Sequence, residues 1–414
     1  MKKVIIHEEA NPENHPRHAL DEICRQGAQR MLMQALELEV ADYLRDQQEK
    51  CKGKSLVTRH GALPERTIQT GVGELSIKQP RVHDRRKGKR FSSNILPPYL
   101  RRLPSIDAVI PALYLKGVST NDFSEALEAL LGPQATGLSP TNITRLKQVW
   151  ESEYEDWAKR TLEGKRYVYL WADGIYFNVR LTSDRPCLLV LMGALEDGTK
   201  EIIAILDGER ESSLSWQEMF QGLKKRGFSL SPKALAVADG ALGFWKALEE
   251  AFPDVVHQRC WVHKIANILN KLPKKIHLGA KEALREIYRA EKRQDAEDAM
   301  DSFVRLYGAK YPKACECLTK DRSQLLAFYD YPAEHWVHLR SSNPIESTFA
   351  TVRHRTRQTK GCGSRKATLS MAFKLALAAS GHWKRLRGAH LLSKVVSGVR
   401  FVDGEEKENL ETAA

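Results

Sequence analysis

Residues 167–179 read YVYLWADGIYFNV. A run of aromatic and β-branched residues reaches Asp173, Gly174 follows, and a second apolar run starts at Ile175. The pattern predicts strands over Tyr167–Ala172 and Ile175–Leu181, with Asp173-Gly174 between them. Two readings of Asp173 are open. Asp-Gly is the favoured dipeptide of a two-residue hairpin turn, and an acid where a buried strand ends is also well placed to hold a metal. A second stretch, AVADG at residues 236–240, has the same form. Asp239 closes the apolar run Ala234–Ala238 and is either the N-cap of a following helix or a second ligand. If the two strands are neighbours, both carboxylates lie at one edge of the sheet.

The third acid is Glu346, in SSNPIESTFATVRHRTRQTKG, residues 341–361. Asn343 fits an N-cap, Pro344 the first helical position, and Glu346 the reach-back position of a capping box. Ile345, Phe349 and Val352 recur as a buried stripe, while Glu346, Arg353 and Arg357 share another face. Three carboxylates can hold two divalent cations a few ångströms apart for displacement at phosphorus. Oxygen donors favour Mg²⁺ or Mn²⁺ over zinc. Cys260-Trp261-Val262-His263 adds two more donors, too few for a zinc site. His263 is read either as a packed core histidine or as a neighbour of the acids that contacts the scissile phosphate.

Around these motifs the strand-like runs Cys187–Leu195 and Ile202–Leu206 flank a turn at Glu196-Asp197-Gly198. Helix Ser212–Lys225, strand Ala234–Ala238, helix Phe244–Phe252, strand Val255–His257 and helix Trp261–Leu272 follow, which describes a mixed α/β sheet. Residues 273–338 lose the strands and read as an all-helical insertion carrying Leu284, Ile287, Tyr288, Phe303, Leu306 and Tyr307. A long helix from Ser341 and another over Ala367–Ser380 complete the pattern.

The charge points to a polyanion. The chain has 414 residues and a formal net charge of +13, which suits nucleic acid. Arg81–Arg102 holds eight Lys/Arg and one acid, and Arg353–Lys366 holds six with none. The first segment is either a solvated linker or an arm tracking DNA, with Arg85, Arg86, Lys87, Lys89 and Arg90 on phosphates and Phe91 and Tyr99 interleaved. Upstream, Leu20–Arg45 is an amphipathic helix with Ile23, Leu32, Leu36 and Val40, packing on its own domain or forming a dimer. Residues 46–66 read as polar loop, and Thr67–Gln79 as a hairpin around Gly71-Val72-Gly73. Three short helices over Ile106–Trp150 look like a helix-turn-helix unit, whose third helix presents Asn142, Arg145 and Gln148. The seven cysteines form no CxxC pair, which fits a reducing compartment. No apolar run is long enough to cross a membrane, so the expected location is cytoplasmic.

Four blocks in order resemble the Mutator-like DDE transposases of bacterial insertion sequences: WADGIYF at Asp173, VADG followed by GFWKAL at Asp239, QRCWVHKIANIL around Cys260 and His263, and NPIESTFATVRHRT at Glu346. Upstream, GALPERTIQTGVGELSIKQPRVHDRR is similar to that family's short strand motif. The resemblance implies a ribonuclease H-like mixed-sheet core with an all-helical insertion, preceded by a helix-turn-helix DNA-binding region. It also implies Asp173, Asp239 and Glu346 as catalytic, metal-binding residues. Binding of terminal inverted repeats in double-stranded DNA, and a homodimer or larger homo-oligomer, follow as further expectations. The domains expected are 1–66, helical; 67–105, strand motif and basic segment; 106–160, helix-turn-helix; 161–272, first part of the core; 273–338, insertion; 339–400, last part of the core; and 401–414, acidic tail. The rival activities are a ribonuclease H-like nuclease or resolvase without strand transfer, and a domesticated DNA-binding regulator.

Overall fold

A computed structural model describes residues 16–50, 56–86, 88–103, 140–176, 187–208, 212–240, 242–358 and 364–407, with isolated helical positions between 105 and 126. The chain divides into two compact units, residues 1–145 and 146–414.

In the first unit one helix runs from Pro16 to Lys50. Strands β1 (Val57–Ala62), β2 (Arg66–Thr70), β3 (Gly73–Ile77) and β4 (Pro80–Asp84) follow. β2 and β3 form the expected hairpin, with Thr70 opposite Gly73. Leu36 of the helix meets Ile68, Leu75 and Ile77 of the hairpin and Leu96 in one apolar cluster. Ile23, expected in the buried stripe, is exposed. The loop expected over residues 46–66 is replaced in part by regular structure: the helix continues to Lys50, and β1 pairs antiparallel with β4. β1 and β4 form a two-stranded ribbon in which β1 buries fully only Val57, so no apolar alternation marks the strand. The basic segment after Arg81 is no free linker either. It starts inside β4, and the Arg86 guanidinium donates to Asp84 Oδ1 and Oδ2 (2.8 and 2.6 Å), with Gln47 and Tyr43 beside it. Phe91 packs on Tyr43 at 4.8 Å between ring centroids.

The second unit is built on a five-stranded sheet in the order β7-β6-β5-β8-β9. β5 is Arg166–Tyr176, β6 Cys187–Leu195, β7 Lys200–Gly208, β8 Ser229–Ala238 and β9 Val256–Arg259. β5, β6 and β7 pair antiparallel, whereas β8 and β9 run parallel to β5. Helices Ser213–Lys225 and Leu242–Ala251 make the two crossovers. Trp216, Phe220, Phe244 and Leu248 from them cover one sheet face, against Leu170, Leu189, Leu191 and Ala236. Because alternate residues point to opposite faces, the partners of these strand residues look the other way.

The outer strand β7 is covered, which removes an exposed edge. Tyr154 of helix Pro140–Lys159 donates to Ile205 O at 2.7 Å. Arg365, opening helix Arg365–Ser380, donates from Nε and from one Nη to the two oxygens of Asp207, both at 3.0 Å. Residues 273–338 are helical as expected, in Lys274–Ile276, His277–Arg289, Arg293–Tyr307, Pro312–Thr319 and shorter turns. Leu284, Ile287 and Phe303 are buried, but Leu306 is exposed. The helix-turn-helix expectation falls mostly outside the described residues. Its last helix extends to Lys159.

Of the five Asp-Gly pairs in the sequence, three bear on the reading of Asp173, and they have three different structures. Asp197-Gly198 is the hairpin turn between β6 and β7, with Gly198 at φ +82° and Leu195 N–H donating to Thr199 O at 2.9 Å. Asp239-Gly240 follows the last residue of β8. Asp173-Gly174 is no turn: β5 runs straight through it, with Asp173 opposite Val190 and Gly174 opposite Leu189.

On the second sheet face Tyr169 Oη lies 2.7 Å from His335 Nδ1, and Trp171 Nε1 donates to His338 O at 2.9 Å. His338 Nε2 accepts the Arg387 N–H at 3.1 Å, so the ring is neutral. Burial first, then the charge of Lys200, pushes its pKa from 6.5 down to about 4. The stabilisation from this depressed value is whole above pH 6.5 and is lost as pH falls through about 4. Its magnitude is about 3 kcal/mol. His338→Gln, which keeps an acceptor, should therefore lose less of its thermal midpoint than the wild type between pH 7.5 and 4.5.

Candidate active site

Tyr169, Trp171 and Asp173 are alternate residues of β5 and share one sheet face. The bonds of Tyr169 and Trp171 show that this face looks onto residues 335–338. Asp173 is next along it and is 9% exposed. On β8 the parallel register pairs Leu170 with Ala236 and Trp171 with Val237. Two further steps bring Asp239 level with Asp173, just where β8 ends. There the Asp239 carbonyl accepts from Trp245 Nε1 at 2.8 Å and from the Arg259 guanidinium at 3.0 Å. Gly240 makes this approach possible, since a Cβ on it would lie 2.4 Å from an Arg259 nitrogen.

Glu346 arrives on helix Asn343–Gln358. Ile345, Phe349 and Val352 are its buried stripe, as the spacing predicts. The helix starts one residue earlier than the capping-box reading requires. Ser342 is its N-cap, because the Ser342 carbonyl accepts from Ile345 N at 2.9 Å and Glu346 N at 3.2 Å. Asn343 is then the first helical residue, and Glu346 stands one position too far along to close the box. Instead, Ser342 joins the helix to the Cys260 segment. Ser342 N–H donates to Cys260 Sγ at 3.3 Å, and Ser342 Oγ lies 3.3 Å from both Cys260 Sγ and Glu346 Oε1. One hydroxyl proton serves only one of these acceptors at a time. Cys260 N–H in turn donates to Ala238 O at 2.8 Å. The backbone before Asp239 and the start of the Glu346 helix are thus tied through one cysteine.

His263, in the first turn of helix Trp261–Leu269, places Nε2 3.8 Å from Glu346 Oε1. Donor atoms of Cys260, His263 and Glu346 lie within 4.8 Å of one another. Hydrogen bonding to Cys260 raises the His263 pKa, burial opposes it, and the charges of Cys260, Asp173 and Asp239 bring it to about 9. His263 is therefore a cation at neutral pH. For Cys260, burial pushes the thiol up, but bonding to and the charge of His263 and the Ser342 hydroxyl bring it net below its ordinary value. Asp173 moves the other way, up to about 6. Burial is the main cause; the charges of Asp239 and Glu346 add to it, while His263 and Arg353 oppose it. Asp173 thus feels the charges of both other acids and of His263, while the donor atoms that lie closest together are those of Cys260, His263 and Glu346.

Of the expected DNA contacts, Arg85, Lys89, Arg90, Arg145, Gln148 and Arg353 are exposed. Arg86 is occupied within its own unit. Lys87 and the side chains of Asn142 and Arg357 lie outside the described residues. Sequence reasoning missed Ser342, Trp245 and Arg259. The one local signal was the hydroxyl pair Ser341-Ser342 before Asn-Pro, a helix-start pattern that names a cap but no sulfur partner.

Fold and site define a mixed α/β protein with a buried acid in its central strand, beside a second acid and a histidine. The family described as "Transposase, Mutator family" matches residues 2–385. The chain is 51% identical over 296 residues to the transposase for insertion sequence element IS6120 of Mycolicibacterium smegmatis, covering 72% of this chain and 91% of that one. It is 50% identical over 287 residues to the IST2 transposase of Acidithiobacillus ferrooxidans, covering 68% and 94%. With the IS256 transposase in transposon Tn4001 of Staphylococcus aureus it shares 31% identity over 296 residues, covering 70% and 73%. The chain belongs to the Mutator family of transposases.

Proposed function

We propose that this protein binds the terminal inverted repeats of its own insertion element and cuts and joins DNA strands at the element ends. Asp173, Asp239 and Glu346 are its catalytic triad. The observation that carries the reading is that buried Asp173 lies within the electrostatic reach of Asp239, Glu346 and His263, with His263 Nε2 3.8 Å from Glu346 Oε1. The sheet supports it: three antiparallel strands followed by two parallel ones, with the first acid in the central strand, agree with a ribonuclease H-like core. Exposed Arg353, seven residues along the Glu346 helix, suits a DNA strand running past.

The donor set fits Mg²⁺ or Mn²⁺. Three carboxylates supply hard oxygen ligands, and a divalent cation would offset the burial, and the lesser repulsion from Asp239 and Glu346, that raise Asp173 to about 6. Two such ions, when bound, would supply an activated nucleophile and charge neutralisation at the leaving oxygen. Asp173, Asp239 and Glu346 would hold them. His263, cationic at neutral pH, is placed to attract a phosphate oxygen. Ser342 and Cys260 fix the start of the Glu346 helix against the backbone preceding Asp239. Exposed Arg85, Lys89 and Arg90, with Arg145 and Gln148 on a helix-turn-helix unit, would engage the duplex. Two element ends handled together call for a homodimer or larger homo-oligomer.

The test supplies a labelled duplex ending in the element's inverted repeat together with target DNA. Strand cleavage followed by covalent joining to target is expected. EDTA should abolish both, and Mg²⁺ or Mn²⁺ should restore both. Cleavage with no joined product would make the protein a nuclease, and binding with neither step would make it a regulator.

A further inference from the structure

Two of the side chains that give the basic segment its nucleic-acid character, Arg86 and Phe91, are engaged inside the first unit. Tyr99 is not. It is 94% exposed, the most exposed large apolar side chain among the described residues. An aromatic ring in water normally collapses onto nearby apolar surface, because burial is favourable. This one is held clear by a braced turn. The Arg66 guanidinium donates to three successive carbonyls: Leu96 O at 3.2 Å, Pro97 O at 3.0 Å and Pro98 O. The Glu39 carboxylate accepts from Asn94 N–H at 2.6 Å and from the Ser93 hydroxyl. Leu96, before the turn, is 1% exposed in the core, and Leu100, after it, packs against the same cluster. Arg101 O accepts from Gln69 N–H at 2.9 Å, which fixes the exit to β2. Two prolines, a multiply engaged arginine and a core anchor on each side thus serve a turn whose tip is a solvent-exposed ring. Exposed Arg101 follows directly.

We propose that Tyr99 is a base-stacking contact, its ring lying against a base of the DNA whose phosphates Arg101 and the exposed cations of the same segment engage. The assignment rests on the DNA-processing reading above. A ring pre-set in its bound position stacks without losing rotamer and loop freedom on binding. Stacking is tolerant of sequence because every base has a π-face, so Tyr99 adds affinity at a fixed position, where a base is accessible, rather than reading identity. Arg101 contributes through phosphate charge, which is lost as salt rises.

The experiment uses the full chain and an element-end duplex with 2-aminopurine substituted at one position at a time. Tyr99→Ala and Tyr99→Leu should each weaken binding about tenfold, whereas Tyr99→Phe and Tyr99→Trp should stay near wild type. The salt slope should not change in any Tyr99 variant, while Arg101→Ala should lower it by about one. At one position the fluorescence change on binding should vanish in Tyr99→Ala and return in Tyr99→Phe. Tyr99 is nearly all in solvent, so none of these changes should disturb folding. Wild-type affinity in Tyr99→Ala, or full affinity in Tyr99→Leu, would overturn the assignment. So would a Tyr99→Ala protein that loses self-association without DNA, since the ring would then contact another copy. A wild-type protein that binds no element-end DNA would instead sink the transposase reading itself.

Discussion

Asp173→Asn should abolish strand cleavage and joining, by at least roughly a thousandfold, and should at the same time make the protein more stable. The activity loss follows from removing a carboxylate that would hold the metal charge at the reacting phosphate. Several kcal/mol of transition-state stabilisation are at stake, and each 1.36 kcal/mol is about tenfold in rate. The stability gain follows from the site's electrostatics. Burial and the charges of Asp239 and Glu346 raise the Asp173 carboxyl to about 6. A folded-state pKa raised above the ordinary 3.8 means that the stabilising contribution is present below 3.8 and lost as pH rises through about 6. At pH 8 the ionised group therefore costs about 3 kcal/mol, a cost the neutral amide does not carry. Thermal unfolding in EDTA at pH 8 should show a higher midpoint for the variant, and the gain should shrink towards pH 4. Binding of element-end DNA in EDTA should persist. An Asp173→Asn protein that still joins strands would remove Asp173 from the catalytic machinery.

Asp321→Ala should destabilise the second unit by about 3–5 kcal/mol, the usual cost of orphaning one member of a buried ion pair. Lys264 is 2% exposed, and its ammonium donates to Cys317 O at 2.7 Å and to the Asp321 carboxylate. Arg259 reaches the same carboxylate at 3.4 Å. Removing Asp321 leaves two cations facing each other without their shared anion. The effect should reach the site. Lys264 follows His263 in helix Trp261–Leu269, and Arg259 holds the Asp239 carbonyl. A fall in thermal midpoint together with a lower cleavage rate is expected in Asp321→Ala. Lys264→Met with Asp321→Leu, which removes both charges, should recover most of the stability. A midpoint unchanged in Asp321→Ala would show that the pair does not brace this helix.

Much of the core was legible because its signals are local. β6 begins and ends where the apolar run Cys187–Leu195 does. The Ile345, Phe349 and Val352 stripe lies buried as its spacing requires. The errors fall where a local signal had a nonlocal competitor. Asp173-Gly174 has the sequence of a turn, yet β6 supplies paired partners on one side through Val190 and Leu189, so the strand continues. β1 reads as loop because its side chains are largely exposed, although its backbone pairs with β4 on both sides of an irregularity between Arg59 and Ala62. Asn343 reads as a cap, but the chain turns one residue earlier, where Ser342 meets the Cys260 sulfur across 82 residues of sequence.

The order and alternation of apolar runs were enough to predict a mixed α/β core, its helical insertion, and three acids worth watching. Each of those inferences needs only the preference of neighbouring residues for one backbone period and one side of a surface. Tertiary structure alone decided which Asp-Gly is a turn, that Asp173 shares its field with Asp239, Glu346 and His263, and that Tyr99 rather than Phe91 faces solvent. Desolvation and Coulomb interactions depend on distance through space. Those distances are set by pairing between segments tens to hundreds of residues apart, which no local pattern encodes.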